Sequence, residues 1–129
     1  MKNSLEIISS IKSFHPKDGN WLELDDLIDQ LWTLDKPEVG INVLFNLFEK
    51  YNKSDGEGVF WSILHGLETL DYEEQLYQSL LYKPSFMGII MLNRIENSGS
   101  ELIADKSIAD LKVHIKNNPE VDQELLAEL

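Results

Sequence analysis

The segment Pro37-Glu38-Val39-Gly40-Ile41-Asn42-Val43-Leu44-Phe45-Asn46-Leu47-Phe48-Glu49-Lys50-Tyr51 decides the fold. Val39, Val43, Leu44, Leu47, Phe48 and Tyr51 recur at helical spacing, and Ile41 and Phe45 carry the apolar surface nearly all the way round. A helix apolar on every side belongs at the centre of a helical stack. Pro37 suits its first turn, where the missing backbone N–H would be unpaired anyway. A second segment has the same character: Pro84 opens it, and Phe86 to Leu92 is almost wholly apolar. Two central helices require others around them, each with a single apolar stripe.

The remaining sequence supplies those helices. Asn3 with Glu6 reads as a capping box, with Leu5, Ile8, Ile11 and Phe14 on one face, and His15-Pro16 ends that helix. Asn20 with Glu23 is a second capping pair. Behind it Trp21, Leu24, Leu27, Ile28 and Leu31 form a stripe, with Glu23, Asp26, Asp29 and Gln30 opposite and Asp25 at the border. Ser54-Asp55-Gly56-Glu57-Gly58 is a loop, followed by a helix carrying Phe60, Ile63, Leu64, Leu67 and Leu70. Asp71 with Glu74 opens the next, which bears Tyr72, Leu76, Tyr77, Leu80 and Leu81. Asn97-Ser98-Gly99-Ser100 closes the second central helix. A last pair carries Ala104, Ile108, Leu111 and Ile115, then Val121, Leu125 and Leu129 after Pro119. No alternating run of strand length occurs.

The expected architecture is all-α: a single domain over residues 1–129 with seven or eight antiparallel helices. The helices are expected to stack as antiparallel pairs, and an internal echo raises a HEAT-like repeat as one form of that stack. Lys36-Pro37 through Glu49 aligns with Lys83-Pro84 through Glu96 at an offset of 47 residues, and Asn46 matches Asn93. That offset lies within the period of two-helix solenoid repeats. The alternative is chance similarity between two buried helices that each begin with proline.

At 129 residues the chain fits one domain and can bury a full core. It has no cysteine, which excludes disulfides and thiolate metal sites and makes the cytoplasm the default location. Met1 to Ser13 lacks the continuous apolar stretch of a secretory signal, and the longest apolar run, Phe86 to Leu92, is too short to span a bilayer.

The net charge of −12 is unevenly spread. Residues 18–38 hold seven acids against Lys36 alone; residues 55–74 hold six acids and no Lys or Arg; residues 119–129 hold four acids and no base. A surface of this kind repels nucleic-acid phosphates and anionic lipid and attracts basic proteins. Solubility alone is the plain explanation for any one acidic segment. Two such blocks on one small fold favour a steering surface, which makes Glu23, Asp25, Asp26, Asp29, Asp55, Glu57, Asp71, Tyr72, Glu73 and Glu74 the candidate partner-binding residues.

Catalytic and cofactor chemistry is not expected. His15, His65 and His114 form no zinc-binding spacing, and Asp110 with His114 reads as a local salt bridge, so no metal is expected. No nucleophile elbow or phosphate-binding loop occurs, and Gly56-x-Gly58 lies between acids that would repel phosphate. Arg94, the single arginine, sits with Asn93 and Asn97 on the most hydrophobic helix, while His65 and Glu68 interrupt the helix of Trp61, Ile63 and Leu64. A guanidinium there needs a carboxylate partner, so His65, Glu68, Asn93, Arg94 and Asn97 are expected to form a structural polar network; contact with a partner is the alternative.

Two blocks carry a family resemblance. They are Gly58-Val59-Phe60-Trp61-Ser62-Ile63-Leu64-His65-Gly66-Leu67-Glu68, and Pro84-Ser85-Phe86 through Asn93-Arg94 with Asn97-Ser98-Gly99. With Tyr72-Glu73 between them, they resemble the all-helical immunity proteins of bacterial polymorphic toxin and contact-dependent growth inhibition systems. The likeness spans roughly residues 55–99; Tyr82-Lys83 before Pro84 and the acidic N-terminal helix depart from it. It implies an inhibitor that binds a cognate toxin domain and blocks it; no cofactor is expected. Many such toxins are nucleases with basic surfaces, which an acidic inhibitor would meet quickly. Trp21, Trp32 and Tyr72 are the candidate aromatic anchors if exposed, and Trp61 is expected in the core. An acidic helical adaptor or scaffold in another pathway is the competing expectation.

Overall fold

The computed structural model describes residues 3–129. Eight α-helices follow one another: α1 (Ser4–Lys12), α2 (Leu22–Trp32), α3 (Ile41–Lys50), α4 (Val59–Leu67), α5 (Glu73–Tyr82), α6 (Phe86–Asn97), α7 (Ile108–Lys116) and α8 (Gln123–Leu126). A 3-10 turn, Pro37–Gly40, leads into α3, and another, Gly56–Gly58, leads into α4. Between α6 and α7 lies a small antiparallel hairpin of β1 (Leu102–Ile103) and β2 (Lys106–Ser107). The fold is all-α apart from this hairpin.

Local chemistry sets the helix starts. The Asn3 side chain accepts a hydrogen bond from the Glu6 N–H at 2.9 Å, as the capping-box reading requires. Ser85, Ser107 and Asp122 cap α6, α7 and α8 in the same manner. Asn20 accepts from Leu22, two residues on. The expected cap at Asp71 is absent: α5 begins after Tyr72, whose side chain makes no cap bond, and Asp71 is exposed.

Helices α1, α3, α5 and α7 pack side by side in one layer, and α2, α4 and α6 in another, with α1 on α2, α3 on α4 and α6, and α5 on α6 between the layers. Successive helices therefore form pairs, and the pairs stack. Helix α3 buries Ile41, Val43, Leu44, Phe45, Leu47 and Phe48, and α6 buries Met87, Ile89, Met91, Leu92 and Ile95, so both are central as their sequences demand. The 47-residue echo is not the stacking unit, because it superposes α3 of one layer on α6 of the other. The match reflects shared burial rather than a repeat.

Two face assignments shift. Helix α1 turns Ile7 and Ile11 inward, and Leu5 is 77% exposed. Ala104 belongs not to a helix but to the hairpin turn, where Ala104 (φ 49°) and Asp105 (φ 65°) both take left-handed conformations. Glu73 steadies this turn by accepting the Ala104 N–H at 2.9 Å.

Candidate protein-binding surface

Helices α2 and α4 lie side by side and run in the same direction. At their first turns Trp21 meets Phe60 edge-on, with ring centroids 5.4 Å apart; at their last turns the Trp32 indole lies on Gly66. A β-carbon at position 66 would overlap Cζ2 and Cε2 of that ring, so glycine is what lets Trp32 rest on α4. Trp32 and Trp61 are half-buried, each packing one side on the core and leaving the other to solvent.

The acids collect around this pair of helices. Glu23, Asp26 and Asp29 are exposed along α2 and Asp25 is half-buried beside them. Asp55 and Glu57 are exposed in the loop entering α4, the end where Trp21 meets Phe60, and Asp71 is exposed in the loop leaving it. Among the described residues, the acids in ion pairs are Glu68, Glu74, Glu96 and Asp122. None of Glu23, Asp25, Asp26, Asp29, Asp55, Glu57 or Asp71 has a basic partner. Uncompensated carboxylates on neighbouring elements add their potentials over about a Debye length, roughly 8 Å in physiological salt.

Beside the acids sits a fixed ion network. Arg94 on α6 donates from Nε and Nη2 to the two carboxylate oxygens of Glu68, each at 2.8 Å, and His65 Nδ1 lies 3.8 Å from Glu68. The bidentate hydrogen bond holds the Glu68 carboxyl below the usual carboxylate range against the opposing effect of partial burial, and raises Arg94. The predicted network thus forms among three of its five members. Asn93 instead donates to the Glu128 carbonyl at 2.6 Å, tying down the α8 segment, and Asn97 is exposed outside the network. The Arg94 side chain is 44% exposed, so this pair bridges α4 and α6 at the surface and not inside the core.

Other expected positions are used by the fold. Tyr72 and Trp21 are both buried and cannot anchor a partner. Burial, then the nearby Glu68 and Glu73 charges, raises the Tyr72 phenol. Glu73 holds the hairpin turn, and Glu74 accepts from Gln78 at 3.0 Å and faces Lys106 at 3.5 Å. Trp61, expected in the core, is partly exposed. Asp110 and His114 are exposed and not ion-paired with one another. No group of three His, Cys, Asp or Glu among the described residues could hold a metal ion, and no helix is long and apolar enough to cross a membrane.

One feature absent from the sequence reading is Glu49. It is 9% exposed at the edge of central helix α3, and its carboxylate accepts from the Ser79 hydroxyl of α5 at 2.6 Å. Burial pushes its carboxyl above the usual range, an effect partly opposed by the Ser79 bond and the Lys83 charge. The available signal was a charged residue at helical spacing from Asn42 and Asn46, the one polar side of a segment otherwise apolar. No family model matches the chain, and no curated protein or solved structure does either.

Proposed function

We propose that this chain is an immunity protein that binds and neutralises a cognate basic toxin domain in the cytoplasm, docking through the α2–α4 face. The observation that carries the reading is the run of uncompensated carboxylates, Glu23, Asp25, Asp26 and Asp29 with Asp55, Glu57 and Asp71, beside half-buried Trp32 and Trp61. Long-range attraction brings a basic partner in and orients it, while desolvated aromatic rings supply contact energy. The family likeness of residues 58–68 and 84–99 supplies the partner class.

The test is to express the open reading frame next to this gene, measure whether its product is toxic, and ask whether this protein restores growth and binds the product. Changing Asp25, Asp26 and Asp29 together to lysine should slow association about tenfold or more at low salt. Raising the salt should shrink that difference. A neighbouring product that is not toxic, or that never binds, counts against the reading; an association rate indifferent to salt removes the electrostatic part.

A further inference from the structure

On the other layer, α3 and α5 leave between them a furrow of about 580 Å³. Its floor is the buried Glu49–Ser79 pair, its walls are Asn42, Asn46 and Gln75, and exposed Tyr82 stands at its end. No lysine or arginine lines it; of the cations near it, Lys106 is engaged by Glu74 at the rim at 3.5 Å, and Lys83 acts on Glu49 from outside the lining. Ser79 occupies one Glu49 oxygen, and the other has no hydrogen-bond partner although the residue borders the furrow. The exposed amides of Asn42 and Asn46, the half-buried amide of Gln75 and the Tyr82 hydroxyl make no hydrogen bond to protein among the described residues and are open to a ligand, and Tyr82 is 77% exposed with no ring or cation over its face.

We infer that this furrow binds an arginine side chain presented by an extended segment of a partner protein. A desolvated carboxylate at the bottom of a slot whose own lining holds no base attracts a cation and disfavours an anion. The choice between arginine and lysine follows from donor count. A guanidinium offers five N–H groups in one plane, enough to meet Glu49 and the amide oxygens around it together, whereas an ammonium offers three. Tyr82 adds a ring face on which a guanidinium stacks. The amide N–H groups left over suit the carbonyls of the peptide flanking that arginine. Binding here is independent of the α2–α4 reading, since the furrow belongs to the opposite layer.

The probe is acetyl-Ala-Arg-Ala-amide titrated into the isotope-labelled full chain at physiological salt, with the citrulline tripeptide, neutral and nearly the same shape, as control. The side-chain amide resonances of Asn42, Asn46 and Gln75 should move in a saturable way, and the citrulline peptide should bind at least tenfold more weakly. Glu49→Gln keeps an acceptor for Ser79, so it should fold while losing tenfold or more in affinity; Tyr82→Leu, at an exposed position, should lose a few-fold. Unmoved furrow amides, shifts confined to α2, equal binding of the citrulline peptide, or an unaffected Glu49→Gln variant would each overturn the inference. Methylguanidinium binding as tightly as the tripeptide would overturn the peptide assignment.

Discussion

Replacing Gly66 with alanine should destabilise this protein, although the same change in most helices does the opposite. Alanine is favoured over glycine inside a helix by about 1 kcal/mol. At position 66 that gain is opposed by the Trp32 ring, whose Cη2 would lie 2.8 Å from the new β-carbon and whose Cζ2 and Cε2 would overlap it. The ring must lift from α4. If it loses about half of a roughly 200 Å² aromatic burial, the cost is about 2.5 kcal/mol at ~25 cal/mol per Å². The net loss is about 1.5 kcal/mol, a fall in Tm of about 5 °C for a chain this size. With Trp32→Ala as background the obstruction is gone, and Gly66→Ala should stabilise by about 1 kcal/mol. Thermal and urea unfolding of the four proteins in this cycle measure both values, and the red shift of tryptophan emission in Gly66→Ala reports the displaced ring. The sign reversal is the test: an effect of the same sign in both backgrounds would mean that Trp32 does not lie on Gly66, and the geometry of the α2–α4 face would be wrong.

Three further outcomes follow from single contacts. Ala104→Gly relieves a left-handed alanine in the hairpin turn and should raise stability by about 0.5–1 kcal/mol, so a fall in Tm would contradict the turn geometry. Arg94→Gln should cost up to about 1 kcal/mol at pH 7, because the pair is partly exposed. Glu68 is held below its unfolded value, so its contribution is present above the ordinary carboxylate range and lost as pH falls through the lowered value; urea unfolding at neutral and acid pH should show the deficit closing. Ser79→Ala removes a hydrogen bond to a buried charge and should cost about 2 kcal/mol at pH 7. Glu49 is raised above its unfolded value, so folding is favoured by its protonation, fully below the unfolded value and progressively less as pH rises through the folded one. The Ser79 bond opposes that rise by favouring the ionised carboxylate, so the Ser79→Ala deficit should shrink on acidification, and a pH-independent deficit would show that the hydroxyl acts by packing alone.

What the sequence made legible is what depends on neighbours along the chain. The apolar completeness of residues 41–48 placed α3 at the centre, and Asn3 with Glu6 marked the start of α1. Leu5 was misplaced because Ile7, Ile8 and Ile11 satisfy helical spacing equally well; packing against α2 and α3 selects Ile7 and Ile11. The hairpin escaped because its strands are two residues each and its turn uses Ala104-Asp105, not the glycine or asparagine that usually marks left-handed positions. At the candidate surface, net charge was legible but its use was not. Whether Glu73 meets solvent or the Ala104 N–H is decided by a residue 31 positions away, and whether Tyr72 is an anchor or core is decided by tertiary packing, which leaves it buried.

Stacking in pairs has a consequence for how this molecule can bind. Exposed side chains of α2 and α4 look out from one layer and those of α3 and α5 from the other, with the core between them. Residues of α2 and of the furrow therefore lie more than one helix diameter, about 10 Å, apart and share no hydrogen-bond or ion-pair partner among the described residues. Perturbations of the two should be nearly additive. Combining the lysine substitutions at Asp25, Asp26 and Asp29 with Glu49→Gln should leave arginine-peptide affinity where Glu49→Gln alone sets it. Residual coupling above about 0.5 kcal/mol would mean that the stack transmits strain between its layers, and the two faces would have to be treated as one binding unit.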